Sequence, residues 1–340
     1  MTSASHERSK GRATSYDVAR HAGVSQSAVS RCFKKGASVA PRTREKILAS
    51  ARALNYYPNA IAQGLITKRS NMVAIIISSL TNLYYPEVLS ELTQRLSVKG
   101  IRVLLFSLAA ESEVDDVLDQ VWRYRVDGAI VAARLNPGQL AAFADRGVPV
   151  VLYNRIGEGL PAASVCCDST SGEHALVEGL VEAGHRQFGI IAGPSDSYVG
   201  EERVQAAQKR LSQLGREAVI VRGNYDYESG DTCLRELMKI TRRKLDALIC
   251  ANDLMAIGAI DCARINFEMD VPRELSIVGF DGVGPAKWLA YQVTTVRQPV
   301  RRMTEAAVSM LIERIEQPGI LPEQRLFAGE LLPGQSARLG

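Results

Sequence analysis

Apolar residues along the chain follow two different rhythms. Over residues 14–54 they recur at helical spacing in three short segments. Thr14 can cap a first helix, with Asp17 three residues on, and Val18, Ala19 and Ala22 form its apolar face. Gly23 stops that helix and Val24 packs into the turn. Ser25 is placed to cap a second helix, Gln26 to Arg31. Pro41 suits the first position of a third, whose Ile47, Leu48, Ala51 and Leu54 close a three-helix core. The tight Ala22-Gly23-Val24-Ser25 turn between two short helices predicts a helix-turn-helix. After Asn55-Tyr56-Tyr57-Pro58-Asn59, the stretch from Ala60 to Leu65 is too short to be a stable helix alone, and Gly64 weakens it further. It is expected to fold only with help from DNA or a twin copy.

From residue 71 the rhythm changes to apolar strands alternating with amphipathic helices. Strands are predicted at Met72 to Ser78, Ile101 to Phe106, Asp127 to Ala132 and Val148 to Tyr153, with helices at Tyr85 to Val98 and around Val114 to Tyr124. The pattern then restarts with a strand at Ala163 to Cys166. Strands at Phe188 to Ala192, Ala218 to Arg222, Ala247 to Ala251 and Ser276 to Phe280 alternate with helices at Ser171 to Ala183, Gly200 to Leu214, Tyr227 to Ile240 and Asp253 to Phe267. A last helix covers Val300 to Ile315. The expected fold is an all-α head plus an α/β body of two doubly wound parallel-sheet lobes.

Charge separates the same two regions. Residues 1–70 hold 13 Lys and Arg against 3 Asp and Glu, and residues 71–340 hold 28 against 34. A basic head on an acidic body points to a polyanion partner, nucleic acid first. Residues 1–13 read as a disordered polar arm without the apolar core of a secretory signal, and no apolar run reaches the ~18 residues of a membrane helix. The expected location is cytoplasmic. The six cysteines form no C-x-x-C pair, and the adjacent Cys166 and Cys167 would point to opposite faces of a strand. Reduced, mostly buried thiols are expected, and His6, His21, His174 and His185 lack metal spacing. No metal and no cofactor are expected. Gly279-Phe280-Asp281-Gly282-Val283-Gly284 is glycine-rich but matches neither a P-loop nor a dinucleotide fingerprint.

The second helix carries the sharpest chemistry. Gln26, Ser27, Ser30 and Arg31 stand where an ordinary surface helix would carry Glu and Lys. They can bond base edges or phosphates: Gln pairs bidentately with adenine, Arg with guanine.

Tyr16-Asp17-Val18-Ala19, Ala22-Gly23-Val24-Ser25, Val29-Ser30-Arg31, Thr43-Arg44-Glu45-Lys46, Leu54-Asn55-Tyr56 and Pro58-Asn59 together resemble the lactose repressor/purine repressor family of bacterial regulators. The resemblance runs on through Ala192-Gly193-Pro194, Ala251-Asn252-Asp253, Ile277 to Asp281 and Thr294 to Pro299. It implies a periplasmic-binding-protein-like body with three crossovers between lobes, a first lobe of about 71–162 and 297–328, and a second of about 163–296 and 329–340. It further implies a DNA-binding domain at 14–57 and a hinge helix and linker at 58–70. By the same resemblance Gln26, Ser27 and Arg31 read bases in the major groove, while Tyr16, Ser25, Ser30, Tyr56 and Asn59 hold phosphates or neighbouring groups. The hinge helix, with Ala62, enters the minor groove, and Leu65 wedges between base pairs. The chain departs from the family's usual residues at Gly64 and at Ala40, where a Ser cap is common. It also departs after Arg203, at Thr304, and at Leu332 to Ser336.

Ligands of parallel α/β sheets sit beyond the carboxyl ends of the strands. Asn82, Tyr84, Tyr85, Asn154, Arg203, Tyr225, Asn252 and Asp281 fall there. Amides, a carboxylate and a guanidinium pair with hydroxyls, and an aromatic face covers the C–H side of a sugar, so a carbohydrate effector is expected. The expected function is a DNA-binding regulator, a repressor acting as a homodimer on a pseudo-palindromic operator. Two other readings fit the body alone. A transport-type solute-binding protein would need an export signal, and a sugar-processing enzyme would need a catalytic dyad or metal cluster.

Overall fold

A computed structural model describes residues 13–34, 36–58, 69–78, 82–108, 113–156 and 161–340. The chain divides into two compact units, Met1–Ser70 and Asn71–Gly340.

In the head, α1 (Ser15–Ala22), α2 (Gln26–Cys32) and α3 (Pro41–Ala53) surround a core of Val18, Ala19, Val29, Cys32, Ile47 and Ala51. Local chemistry sets the helix ends. Thr14 and Asp17 form a reciprocal capping box on α1, and Gly23 ends that helix in the left-handed conformation at φ 66°. The Ser25 hydroxyl accepts from the Ala28 N–H at 3.3 Å and caps α2. Ala40 gives α3 no such cap, so that helix starts on Pro41 alone.

The body holds two six-stranded sheets of matching order. In the first lobe β1 (Met72–Ser78) lies between β2 (Arg102–Leu108) and β3 (Gly128–Ala132), followed by β4 (Val150–Tyr153), β5 (Ala163–Asp168) and a late strand, Gln324–Ala328, all parallel. Helices α4 (Tyr84–Val98), α5 (Val114–Arg123) and α6 (Pro137–Asp145) connect them. In the second lobe β6 (Phe188–Ala192) lies between β7 (Ala218–Arg222) and β8 (Ala247–Cys250). Beyond these come β9 (Ser276–Asp281), β10 (Thr294–Arg297) and an antiparallel edge, Glu330–Leu332. Its helices are α7 (Ser169–Glu182), α8 (Tyr198–Gln213), α9 (Tyr227–Ile240) and α10 (Asp253–Asn266). The last helix, α11 (Val300–Glu316), returns to pack on α4 and the first sheet. Strands β1, β3, β4, β8 and β9 are buried almost throughout, as strands covered by helices on both faces must be.

One boundary differs from the sequence reading, which opens the second lobe at residue 163. Ala163–Asp168 pairs in parallel with β4 and with Gln324–Ala328, so it completes the first sheet. The crossover follows at Asp168, whose carboxylate caps α7 by accepting from the Ser171 N–H at 3.0 Å. Two further crossovers follow β10 and the strand Gln324–Ala328.

All six cysteines are free and buried. Among the described residues no cluster could hold a metal ion, and no helix is long and apolar enough to cross a membrane. His185 is buried in the turn between α7 and β6, with Nδ1 3.7 Å from Asp246.

Candidate DNA-reading face and effector cleft

In the head, Val29 and Cys32 anchor α2 in the core and turn Ser27, Ser30 and Arg31 outward, where all three are exposed. Gln26 is half-buried and its amide donates to the Ser15 hydroxyl at 3.3 Å. Ser25 bonds Ser27 at 2.9 Å in addition to capping the helix. Tyr16 is exposed, whereas Tyr56 packs edge-on against Phe33 at 5.8 Å and also supports the core. Asn59, Ala62 and Leu65 lie outside the described residues.

In the second lobe the predicted cleft residues are buried and fall into two bonded pairs, Arg203 with Asp281 and Asn252 with Tyr225. Asp281 ends β9 at φ 104°, and Tyr225 follows β7 at φ 62°. Such angles are costly for residues other than glycine and concentrate at functional sites. One Asp281 oxygen accepts from Arg203 at 2.8 Å and from the Gln298 amide at 2.8 Å. Arg203 also donates to the Ala251 carbonyl at 2.6 Å and lies 3.8 Å over the Phe280 ring. Burial alone would lower its pKa, but the negative charge of Asp281, with Tyr225 and Glu173, raises it. Asn252 caps α10 through the Met255 N–H and donates to the Tyr225 carbonyl at 3.0 Å. The Tyr225 hydroxyl lies 2.9 Å from that of Ser197. Its phenol fits only because Gly193 and Gly200 lack side chains: a Cβ at Gly193 would come within 2.3 Å of the ring, and one at Gly200 within 2.3 Å of the hydroxyl.

The first lobe contributes differently. Asn82 is buried and caps the start of α4 by accepting from the Tyr84 N–H at 3.1 Å. The buried Tyr84 hydroxyl bonds that of Tyr153 at 3.3 Å, and its ring packs edge-on against Tyr85. Burial raises the Tyr84 pKa well above the usual range, with Tyr153 and Asp281 adding to it. Tyr85 likewise adds to the burial that pushes Tyr225 up to about 12, so the two lobes' groups lie within electrostatic reach. Asn154 follows β4 at φ 56° and is buried. A tie joins the lobes: Arg297, at the end of β10, bonds Glu87 of α4 at 2.5 Å and also the Gly282 carbonyl.

Sequence reasoning missed four of these groups. Gln298 is a fully buried partner of Asp281, Tyr153 a fully buried partner of Tyr84, and Arg155 is buried, donating to Ser78 at 3.0 Å. Asp253 lies beneath, accepting from Thr295 at 2.6 Å and from the Val283 N–H at 2.8 Å. Gln298 had a signal, since it stands in the Thr294 to Pro299 motif.

Residues 14–59 match the model of the lacI family of bacterial regulatory proteins, and residues 177–337 that of the periplasmic binding protein-like domain. The HTH-type transcriptional repressor PurR of Proteus mirabilis (strain HI4320) is 31% identical over 312 residues, 89% of this chain and 90% of that protein. The chain belongs to the lacI family. PurR of Photorhabdus laumondii subsp. laumondii is 30% identical over the same shares. Among solved structures, the lac repressor dimer bound to operator and the anti-inducer ONPF superposes with TM-score 0.86 at 26% identity, covering 96% of this chain and 99% of that one. The transcriptional regulator CelR in complex with cellobiose gives 0.72 at 27% identity, covering 96% and 100%. As a lacI-family member this chain is a DNA-binding transcriptional regulator with a periplasmic-binding-protein-like effector domain. The family is one of regulators, not enzymes.

Proposed function

We propose that the chain is a cytoplasmic repressor that binds a pseudo-palindromic operator as a homodimer and is controlled by a sugar or sugar derivative held between its lobes. The network of Arg203, Asp281, Gln298, Tyr225 and Asn252 at the strand ends carries this reading, because it offers hydroxyls both donors and acceptors beside an aromatic ring. From the first lobe, Tyr84 and Tyr85 lie within electrostatic reach of it, and Asn82 and Asn154 complete the site in this reading. CelR's complex with cellobiose supports the ligand class. Exposed Trp288 and Leu289, at 61% and 90%, support self-association of the body.

Gln26, Ser27 and Arg31 read bases; Tyr16, Ser25, Ser30, Tyr56 and Asn59 fix the backbone; the 58–70 helix carries Ala62 and Leu65 into the minor groove. The domains are 14–57, 58–70 and 71–340, the last with a first lobe of 71–168 and 298–328. The ligand acts through its different affinities for two lobe arrangements.

Gel shifts on a palindromic operator, with and without each member of a sugar and sugar-acid panel, test the reading. Arg31→Ala should cost roughly 1–3 kcal/mol of base discrimination. Asp281→Ala should keep operator binding and lose the sugar response. Binding to random DNA as tight as to any palindrome at moderate salt would end the proposal.

A further inference from the structure

Behind Arg203 lies an acid with no assigned task. Glu173, on the second turn of α7, is 1% exposed, and neither carboxyl oxygen has a hydrogen-bond partner among the described residues. Its helix packs on α8, which carries Arg203, and its neighbour Gly172 lies against Phe280, the ring under that guanidinium. Buried polar groups in native proteins are nearly always bonded, so such an orphan calls for a reason.

The charges around it supply one. Arg203 of α8 and Asp281 of β9 already neutralise each other at 2.8 Å. Cys250, at the end of β8, also feels Glu173. On β10, Arg297 is spent on Glu87 and Gly282. A third charge in this pocket has no counter-ion. Burial pushes the Glu173 carboxyl up to about 8, against the pull of Arg203 and with the push of Asp281.

We propose that Glu173 is a positioning residue of the effector cleft: a spare counter-ion for Arg203, neutral while Asp281 holds that guanidinium and ionised when a ligand draws Asp281 away. Arg203 also keeps a spare donor, since its buried Nε has no hydrogen-bond partner among the described residues. On ligand binding the proton leaves a Glu173 oxygen for solvent, and the new carboxylate keeps Arg203 in place. Occupation of the cleft then releases a proton, and ligand affinity rises with pH across the window below about 8. This rests on the cleft being the effector site, but Glu173 can be tested without any effector.

The experiment is carboxyl 13C NMR of the full chain labelled at glutamate Cδ, with Glu173→Gln identifying the resonance. The wild-type midpoint is expected near 8. Asp281→Asn imitates withdrawal of the first counter-ion and should lower the midpoint by roughly one to three pH units. Arg203→Gln should raise it. The opposite signs keep the test decisive even if one variant folds poorly. A wild-type midpoint in the ordinary carboxyl range, or one that neither variant moves, would overturn the proposal. Failure of the effector reading shows separately, as an Asp281→Ala protein that still answers sugar.

Discussion

The outer face of α2 and the cleft of the body are both polar, yet they hold their polar groups in opposite ways. On α2 the side chains of Ser27, Ser30 and Arg31 stand exposed over a core that, among the described residues, holds six buried apolar side chains. In the cleft, Arg203, Gln298 and Asn252 are buried with their bonds made inside the protein, the first two to Asp281 and the third to the Tyr225 carbonyl. A reading face must keep its donors free for a partner and takes its stability from the helix beneath. A buried network is positioned by its own bonds, so its members stabilise the fold as well as the site. Substitutions on the first should change recognition and leave stability alone; on the second they should change both.

Four measurements test that contrast, beginning with the largest effect. Arg203→Ala or Asp281→Ala leaves a buried charge alone and should cost about 3–5 kcal/mol. Both tryptophans, Trp122 and Trp288, lie in the body, so urea unfolding followed by fluorescence isolates it. Costs under about 1 kcal/mol would make the network a surface feature like α2. Next, Gly193→Ala drives a methyl into the Tyr225 ring and should cost about 1–3 kcal/mol in the same assay.

The third measurement is pH. Asp253 and Glu173 are each raised by burial to about 8, whereas an unfolded carboxyl titrates near 4. Their folded pKa values lie above the unfolded ones. Their stabilising contribution is therefore complete below about pH 4 and is lost as pH rises through about 8. Body stability should fall as pH rises from about 4 to about 8 and level off above that, and Glu173→Gln should flatten that slope. The smallest effects belong to the head. Ser25→Ala should cost about 1 kcal/mol by removing the α2 cap, and Ala40→Ser should return a similar or smaller amount to α3. Circular dichroism melts of the full chain read both. A larger loss at Ser25 than at Asp281 would reverse the comparison.

The head was legible because its signals are local: Thr14 with Asp17, Gly23, Ser25 and Pro41 each mark a helix end by their own chemistry. Most body elements were legible for the same reason. The helix Pro137–Asp145 was missed although Asn136 and Gln139 form a capping box around it. The strand Ala163–Asp168 was recognised but given to the wrong lobe. Its apolar run fits either sheet, and only pairing with the distant Gln324–Ala328 decides. The cleft was half legible. Asn252 and Asp281 stand at strand ends, where ligands of such sheets gather. Glu173 and Asp253 lie on helices with nothing in their spacing to say that burial strips them of water.

The fit of Tyr225 between Gly193 and Gly200 has a bearing on re-engineering this chain as a sensor for another molecule. A smaller residue at Tyr225 leaves a void that only a larger residue at a glycine can fill, and a larger residue at a glycine is tolerated only once the ring is gone. Each change alone is a loss, and the pair together can be neutral. A library that varies these positions one at a time will report all three as immutable. One that varies them jointly reaches cleft shapes that single steps cannot.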